Sequence, residues 1–256
     1  MPGLAKLRRP GHGEPLGPVW RTAWLVLYGP FSVLIRTRYR HLDRLPQQRG
    51  AIIVVNHVSH VDPFLVAKMI IDGARVPRFL AKDSIFRVPV VGAAMRGMGN
   101  IPVSRGTTDA AQSLEPAADA LRQGHILALH PEGTVTRDPA FWPMVGKTGV
   151  ARLALLVPDA PVIPVAQWGV QDSIDLYRKR IRLFPRPKHV LSIGEPIDLS
   201  AFRGHDATAR TLQEMTEVIM QRLREDVAGL RGVPAPTGPL YRRSPVRSSR
   251  SQKDVA

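Results

Sequence analysis

The apolar positions of this chain recur with two periods, and the alternation between them outlines a fold. Ala51-Ile-Ile-Val-Val55 is a short unbroken apolar run, the pattern of a strand buried on both faces. Further short apolar runs predict strands over 78–81, 101–103, 125–130, 161–168 and 190–193. Asp62-Pro63 reads as an N-cap followed by proline at the first helical position, opening a helix through about Ile71. A small helix is expected near 90–96. Leu114, Ala118 and Leu121 share one side of a helix over 109–123 that Gly124 stops. Residues 148–156 read as helical, and Leu212, Met215, Ile219 and Leu223 mark a long amphipathic helix over 207–230. No internal repeat interrupts this order. It predicts a single α/β domain with a central, mostly parallel sheet flanked by helices.

The two ends differ from this middle. Residues 1–18 are rich in Pro and Gly, and 19–40 read as two short helices broken at Pro30. The apolar stretch 22–35 has 14 residues, short of the ~20 that cross a bilayer. A secretory signal is not expected: prolines fill its lead-in, and Arg36, Arg38 and Arg40 follow where a cleavage site would lie. Arginines at 21 and over 36–44 bracket Trp20, Trp24, Tyr28 and Phe31, which suits a helix lying in a lipid interface. Beyond Gly232, Pro, Ser and Arg dominate without apolar periodicity. The expected divisions are a basic, apolar membrane-associating segment over 1–44, the α/β domain over 45–231 and a disordered basic tail over 232–256.

Composition narrows the chemistry. The 256 residues contain no cysteine, which excludes a disulfide scaffold, a thiolate metal site and a cysteine nucleophile. The net charge of +15 calls for an anionic partner. Residues 1–44 carry +6 and 231–256 carry +5, so most of the excess lies at the ends. Aromatic residues are not interleaved with the basic ones as a stacking platform for bases requires. Two basic flanks drawn to an anionic bilayer are therefore expected, and no nucleic-acid partner.

The polar turns after the predicted strands hold the candidate chemistry. Strand 51–55 runs directly into Asn56-His57-Val58-Ser59-His60-Val61-Asp62, at the carboxyl end where α/β folds place their sites. His57 is suited to general-base work near neutral pH, and Asp62 to holding its Nδ1–H. The alternatives are a turn histidine with a capping aspartate, or, with His60, a metal site. Pro131-Glu132-Gly133-Thr134 follows strand 125–130, and Gly99-Asn-Ile-Pro-Val-Ser-Arg105 supplies an arginine suited to phosphate. Two look-alikes fail. Gly146-Lys147-Thr148 lacks the glycine a P-loop needs at Phe141, and Gly97-Met-Gly99 lacks the third glycine of a dinucleotide fingerprint at Pro102. Lys147 then reads as a helix-start lysine.

Together these blocks resemble the PlsC-like glycerolipid acyltransferases, the 1-acylglycerol-3-phosphate acyltransferases. Asn-His-Val-Ser-His-Val-Asp (56–62) is similar to the family's NHxxxxD block, and Gly99–Arg105 to its glycine-to-arginine block. Pro131–Thr134 is similar to the EGT block, and Val162-Ile-Pro-Val165 to the proline-containing fourth block. The resemblance covers about residues 45–200. It implies acyl transfer from acyl-CoA or acyl-carrier protein, as substrate rather than cofactor, to the free hydroxyl of lysophosphatidic acid in phospholipid biosynthesis. No metal and no cofactor is implied. His57 would be the general base and Asp62 its orienting carboxylate. Asn56, Lys82, Arg105, Glu132, Gly133, Thr134 and Arg137 would bind substrate. Lys82 or turn amides would face the oxyanion. Arg105 would take the phosphate, and Glu132 would hold a basic side chain or a glycerol hydroxyl. Family members often place Arg after EGT, where this chain has Val135; Arg137 is the substitute considered. Another lysolipid or a glycolipid is the alternative acceptor. The expected location is peripheral or monotopic, on the cytoplasmic face of the cell membrane.

Overall fold

The structure is a computed structural model and describes residues 15–28, 33–103, 114–171, 174–175, 180–182 and 184–242. Its helices are α1 (Pro18–Ala23), α2 (Asp62–Asp72), α3 (Asp83–Phe86), α4 (Pro89–Gly97), α5 (Glu115–Arg122), α6 (Gly149–Leu156) and α7 (Ala209–Arg231). Its strands are β1 (Arg36–Arg40), β2 (Ala51–Val55), β3 (Pro77–Lys82), β4 (Ile101–Val103) and β5 (Ile126–Leu129). They continue with β6 (Val162–Trp168), β7 (Ile174–Asp175), β8 (Arg180–Ile181) and β9 (Lys188–Ile193).

Seven strands form one sheet in the order β1-β9-β6-β2-β5-β3-β4, and β7 pairs with β8 alone. Every neighbouring pair in the large sheet is parallel except β6 with β9. The expected α/β architecture is therefore present. The chain leaves β2 for β3 on one side, while β6 joins on the other. Such a reversal marks the carboxyl end of β2 as the usual ligand position in sheets of this kind.

The continuous apolar run of β2 is explained by its two buried faces. Ile52 and Val54 join Leu127 and Val162 beneath α5, α6 and α7. Ala51, Ile53 and Val55 join Ile126, Ile163 and Leu191 beneath Val66, Met69 and Ile70 of α2. Helix α7 lays Leu212, Met215, Ile219, Leu223 and Val227 inward. Thr208 caps its start and Gly232, at φ 69°, ends it. Helix α1 packs through Trp20 and Ala23 against Ala67 and Ile71 on α2, and Trp20 Nε1 donates to the Met98 carbonyl at 2.9 Å.

Several expectations change. Residues 36–40 form a strand, not a helix, paired in parallel with β9. Alternating arginines give no apolar strand signal, but they blunt an exposed sheet edge. Helix α1 is only six residues long and passes into a π-helical turn over Trp24–Tyr28; residues 29–32, and with them the break at Pro30, lie outside the described residues. The helix expected over 109–123 is described from Glu115. Chain beyond Gly232, expected as tail, is described to Arg242 and lies on the domain: Arg224 Nη1 donates to the Gly238 carbonyl at 2.7 Å, and Met144 bridges Tyr241. Residues 243–256 lie outside the described residues. No described helix is long and apolar enough to cross a membrane.

Candidate active site

Strand β2 delivers His57 to the carboxyl edge of the sheet, one residue past Asn56. Asp62 is the first residue of α2, with Val61 rather than Asp62 as N-cap. Its carboxylate turns back instead of capping forward. Asp62 Oδ2 accepts the backbone N–H of Val58 at 2.6 Å and of Ser59 at 2.7 Å. The same oxygen lies 2.9 Å from His57 Nδ1. A carboxylate acceptor there fixes the tautomer: Nδ1 carries the proton and Nε2 the lone pair. The His57 side chain is 13% exposed and Asp62 is fully buried.

Burial dominates the electrostatics. It lowers His57 to about 4, with the positive potential of His60 adding to the effect. It raises Asp62 to about 7, opposed by His130, by the Ser59 and Val58 amides and by His60. A neutral imidazole is thus the resting state at neutral pH, as a base requires. No described group of three His, Asp or Glu side chains is arranged to hold a metal ion.

The backbone of His57 is gripped on both sides by the turn after β5. Its N–H donates to Glu132 Oε1 at 2.9 Å, and its carbonyl accepts from Thr136 N–H at 2.7 Å. Glu132 Oε2 takes the Met144 N–H at 3.0 Å. The expected basic or hydroxyl partner of Glu132 gives way to these two amides. Glu132 is buried, and burial raises it to about 8 against their pull. It ties the His57 turn to the loop that reaches Met144.

Asn56 likewise differs from its expected substrate-facing role. Its Oδ1 accepts the Gln167 N–H at 2.8 Å and its Nδ2 donates to the Gln167 carbonyl at 3.1 Å. The side chain thereby extends the β2–β6 pairing by one step. Gln167 Nε2 returns a bond to the Asn56 carbonyl at 2.6 Å, and its Oε1 faces the fully buried His189 at 3.2 Å.

The remaining predicted residues that the structure describes have less defined roles. Lys82 ends β3 and is exposed. Gly133, at φ 69°, and Thr134 form the turn after β5. Val135 is buried and presents no cation, while Arg137 is exposed. Arg105 lies outside the described residues. Two further residues join the site. His130 stacks on His57 with ring centroids 4.1 Å apart at 16°, and its Nδ1 meets the Val55 carbonyl at 3.0 Å. Its place beside the Glu132 block was the available signal. The end of Lys147 lies on Gly133: a Cβ added there would come 2.9 Å from Cε and 3.1 Å from Nζ. The Gly-Lys-Thr look-alike marked it without a reason to place it.

This geometry pairs a buried histidine with an aspartate at the carboxyl edge of a doubly wound sheet, an arrangement that can serve a general base. The Acyltransferase family profile matches residues 36–168, just over half the chain, and the chain belongs to that family. A 1-acyl-sn-glycerol-3-phosphate acyltransferase of Borreliella burgdorferi is 29% identical over 131 residues, covering 51% of this chain and 50% of that protein. The chloroplastic enzyme of that name from Brassica napus is 27% identical over 136 residues, covering 52% and 38% respectively. The chain thus spans half or less of the length of these relatives. An uncharacterised Mycobacterium bovis protein is 25% identical over 242 residues, covering 79% of this chain and 65% of its own. The crystal structure of the Thermotoga maritima 1-acyl-sn-glycerophosphate acyltransferase PlsC shares the fold, with TM-score 0.55 and 21% identity over 84% of this chain and 93% of that one.

Proposed function

We propose that the protein transfers a fatty acyl group from a thioester, acyl-CoA or acyl-carrier protein, to the free hydroxyl of 1-acylglycerol-3-phosphate, giving phosphatidic acid. The observation carrying this reading is the 2.9 Å contact between His57 Nδ1 and Asp62 Oδ2. It leaves Nε2 as the base. His57 takes the hydroxyl proton as that oxygen attacks the thioester carbonyl carbon, forming a C–O bond. The tetrahedral oxyanion then collapses, the C–S bond breaks, and the leaving thiolate takes the proton from His57. Asp62 stabilises the transient imidazolium. A positioned base contributes typically ~10²–10⁴-fold. Lys82 and turn amides are the oxyanion donors in this reading. Lys147, over the Gly133 turn, is the described cation assigned to the acceptor phosphate in this reading, and Arg105 remains its sequence-based candidate.

The same reading places the protein peripherally on an anionic bilayer. The turn after α1 and helices α3 and α4 leave apolar side chains in solvent, with Leu25 in that turn 75% exposed and Val90 on α4 82% exposed. The exposed arginines 36, 38 and 40 of β1 supply charge, each basic residue near such a surface contributing ~1 kcal/mol. Not every flanking cation is available. Arg44 pairs with Glu195 at 2.7 Å, and Arg231 is held between two tryptophans.

The test is purified protein offered acyl-CoA or acyl-carrier protein with a panel of lysophospholipid and glycolipid acceptors. Phosphatidate formation that disappears in His57→Ala is the expected result. Near-wild-type activity of that variant would remove the mechanism, and a preference for another acceptor would change the substrate. Sedimentation with liposomes containing or lacking anionic lipid tests the surface: equal binding to both would remove the electrostatic part.

A further inference from the structure

The loop that grips His57 is itself held from outside by the end of the longest helix. Residues 132–145 form this loop. Glu132 and Thr136 bind the backbone of His57, and Met144 N–H closes the loop on the second oxygen of Glu132. Inside it, Asp138 Oδ1 accepts the Ala140 N–H at 2.8 Å, and Thr136 Oγ1 donates to the Trp142 carbonyl at 2.8 Å. These bonds shape the loop without tying it to the domain.

Phe141 packs inward on Val58, Val61 and Leu65, and two attachments reach the loop from the C-terminal end of the chain. Arg231, the last residue of α7, lies with its guanidinium carbon 4.1 Å from the ring centroids of both Trp142, in the loop, and Trp168, at the end of β6. Its Nη1 donates to the Ala140 carbonyl at 3.0 Å. A guanidinium between two indoles, with its fork on a carbonyl, joins loop, strand and helix at one point. The chain then turns at Gly232 and returns along the loop. The Tyr241 carbonyl accepts the Val145 N–H at 3.0 Å, and the Gly238 carbonyl is held by Arg224 on α7.

We propose that Arg231, backed by the returning segment 238–241, is a positioning residue for acyl transfer: it fixes the 132–145 loop and, through Glu132 and Thr136, the placement of the His57 backbone. Arg231 touches no reacting atom. Its effect travels through two backbone hydrogen bonds, and a displacement of about 1 Å at such a site is worth ~10²-fold in rate. The arginine therefore belongs to the active site and not to the pool of lipid-seeking charge at the chain's end.

The proposal rests on the acyltransferase reading for its kinetic arm only, and amide hydrogen exchange supplies an arm independent of activity. In Arg231→Ala, exchange at the His57 and Thr136 amides is expected to quicken at least tenfold, while core amides of β2 and β5 stay unchanged. In the transfer assay kcat is expected to fall about thirtyfold with KM for both substrates within threefold. Arg231→Lys keeps a cation over the rings and should recover kcat to within about fivefold of wild type. Unchanged exchange at His57 and Thr136 would overturn the proposal, as would a defect confined to KM. If Arg231→Ala fails to accumulate folded, Arg231→Lys decides alone: a two- to fivefold loss of kcat at constant KM with quicker exchange at the His57 and Thr136 amides is expected, and unchanged exchange at both amides overturns it. If wild type acylates nothing, the function reading fails and the exchange result still judges the clasp.

Discussion

The two edges of the central sheet solve the same problem, buried charge, with opposite signs. At the amino edge the buried Arg75 donates to the carbonyls of Pro46, Arg49 and Gly124, in the loops leading into β2 and β5. At the carboxyl edge two buried carboxylates, Asp62 and Glu132, accept backbone amides around His57. A guanidinium keeps its charge at every relevant pH, so the amino edge is a fixed staple. At the carboxyl edge burial raises both carboxylates toward neutral pH and drives the His57 imidazole to its neutral form. Among the described residues, Asp62 Oδ1 and His130 Nε2 at this edge are buried without a hydrogen-bond partner, and unsatisfied polar atoms cost stability. One edge holds the fold; the other is poised to exchange a proton.

The largest expected effect tests that division at Asp62. In Asp62→Asn the carbonyl oxygen can still accept from Val58, Ser59 and His57 Nδ1, so geometry and tautomer survive while the charge that stabilises the imidazolium is lost. A fall in kcat of about 10³-fold is expected, equivalent to ~4 kcal/mol, with little change in thermal midpoint. A loss of folding with kcat retained in the folded fraction would reverse the assignment of the two edges.

The mirror-image test is Arg75→Met. It leaves three inward carbonyls without their donor, a cost of order 3 kcal/mol or a drop of about 10 °C in thermal midpoint. Activity per folded molecule should stay within twofold of wild type. A kinetic defect larger than the stability defect would show the amino edge coupled to the site.

How legible these edges were from the sequence differs in an instructive way. Strand β2, the mostly parallel sheet and the His57/Asp62 turn follow from an unbroken apolar run ending in polar residues, a local signal. Strand β1 is invisible to local pattern because Arg-Thr-Arg-Tyr-Arg has the charge of a surface helix and acquires its strand partner, β9, from more than 140 residues away. Glu132 and Asn56 look substrate-facing in sequence because a polar residue after a strand usually is. Only the three-dimensional partners, His57 N–H and the Gln167 backbone, show them turned inward. Arg75 and Arg231 carry no motif at all, since their carbonyl and indole partners lie on other elements.

A smaller effect separates substrate from scaffold within the carboxyl edge. Lys147 lies over Gly133 but is exposed, so its removal should spare the fold. Lys147→Met is expected to raise KM for lysophosphatidate about tenfold at constant kcat and constant KM for the thioester. A Gly133→Ala chain should behave similarly, because a Cβ there displaces the lysine and the backbone sits at φ 69°. If KM for the thioester rises instead, the lysine serves the donor and not the acceptor's phosphate.

The gentlest probe is pH, which acts on the carboxyl edge and leaves Arg75 alone. Burial lowers His57 to about 4 and His130 and His189 to about 3. The unfolded chain protonates these histidines first, near ~6.5. Their contribution is therefore present above that pH and is lost as pH falls through 4 and 3. Asp62 and Glu132 have the opposite sign. Burial raises them to about 7 and 8, so the unfolded chain ionises first, near ~4. Their contribution is present below that and is lost as pH rises through 7 and 8. Between these limbs stability should peak near about pH 6 and decline by ~1 kcal/mol toward both pH 5 and pH 8. Thermal midpoints across that range check it. Asp62→Asn should ease the alkaline decline, leaving Glu132 to carry the rest, whereas Arg75→Met should lower the whole curve without changing its shape. A curve whose shape changes in Arg75→Met would mean that the staple shares the titrating network, and the two edges would be one system.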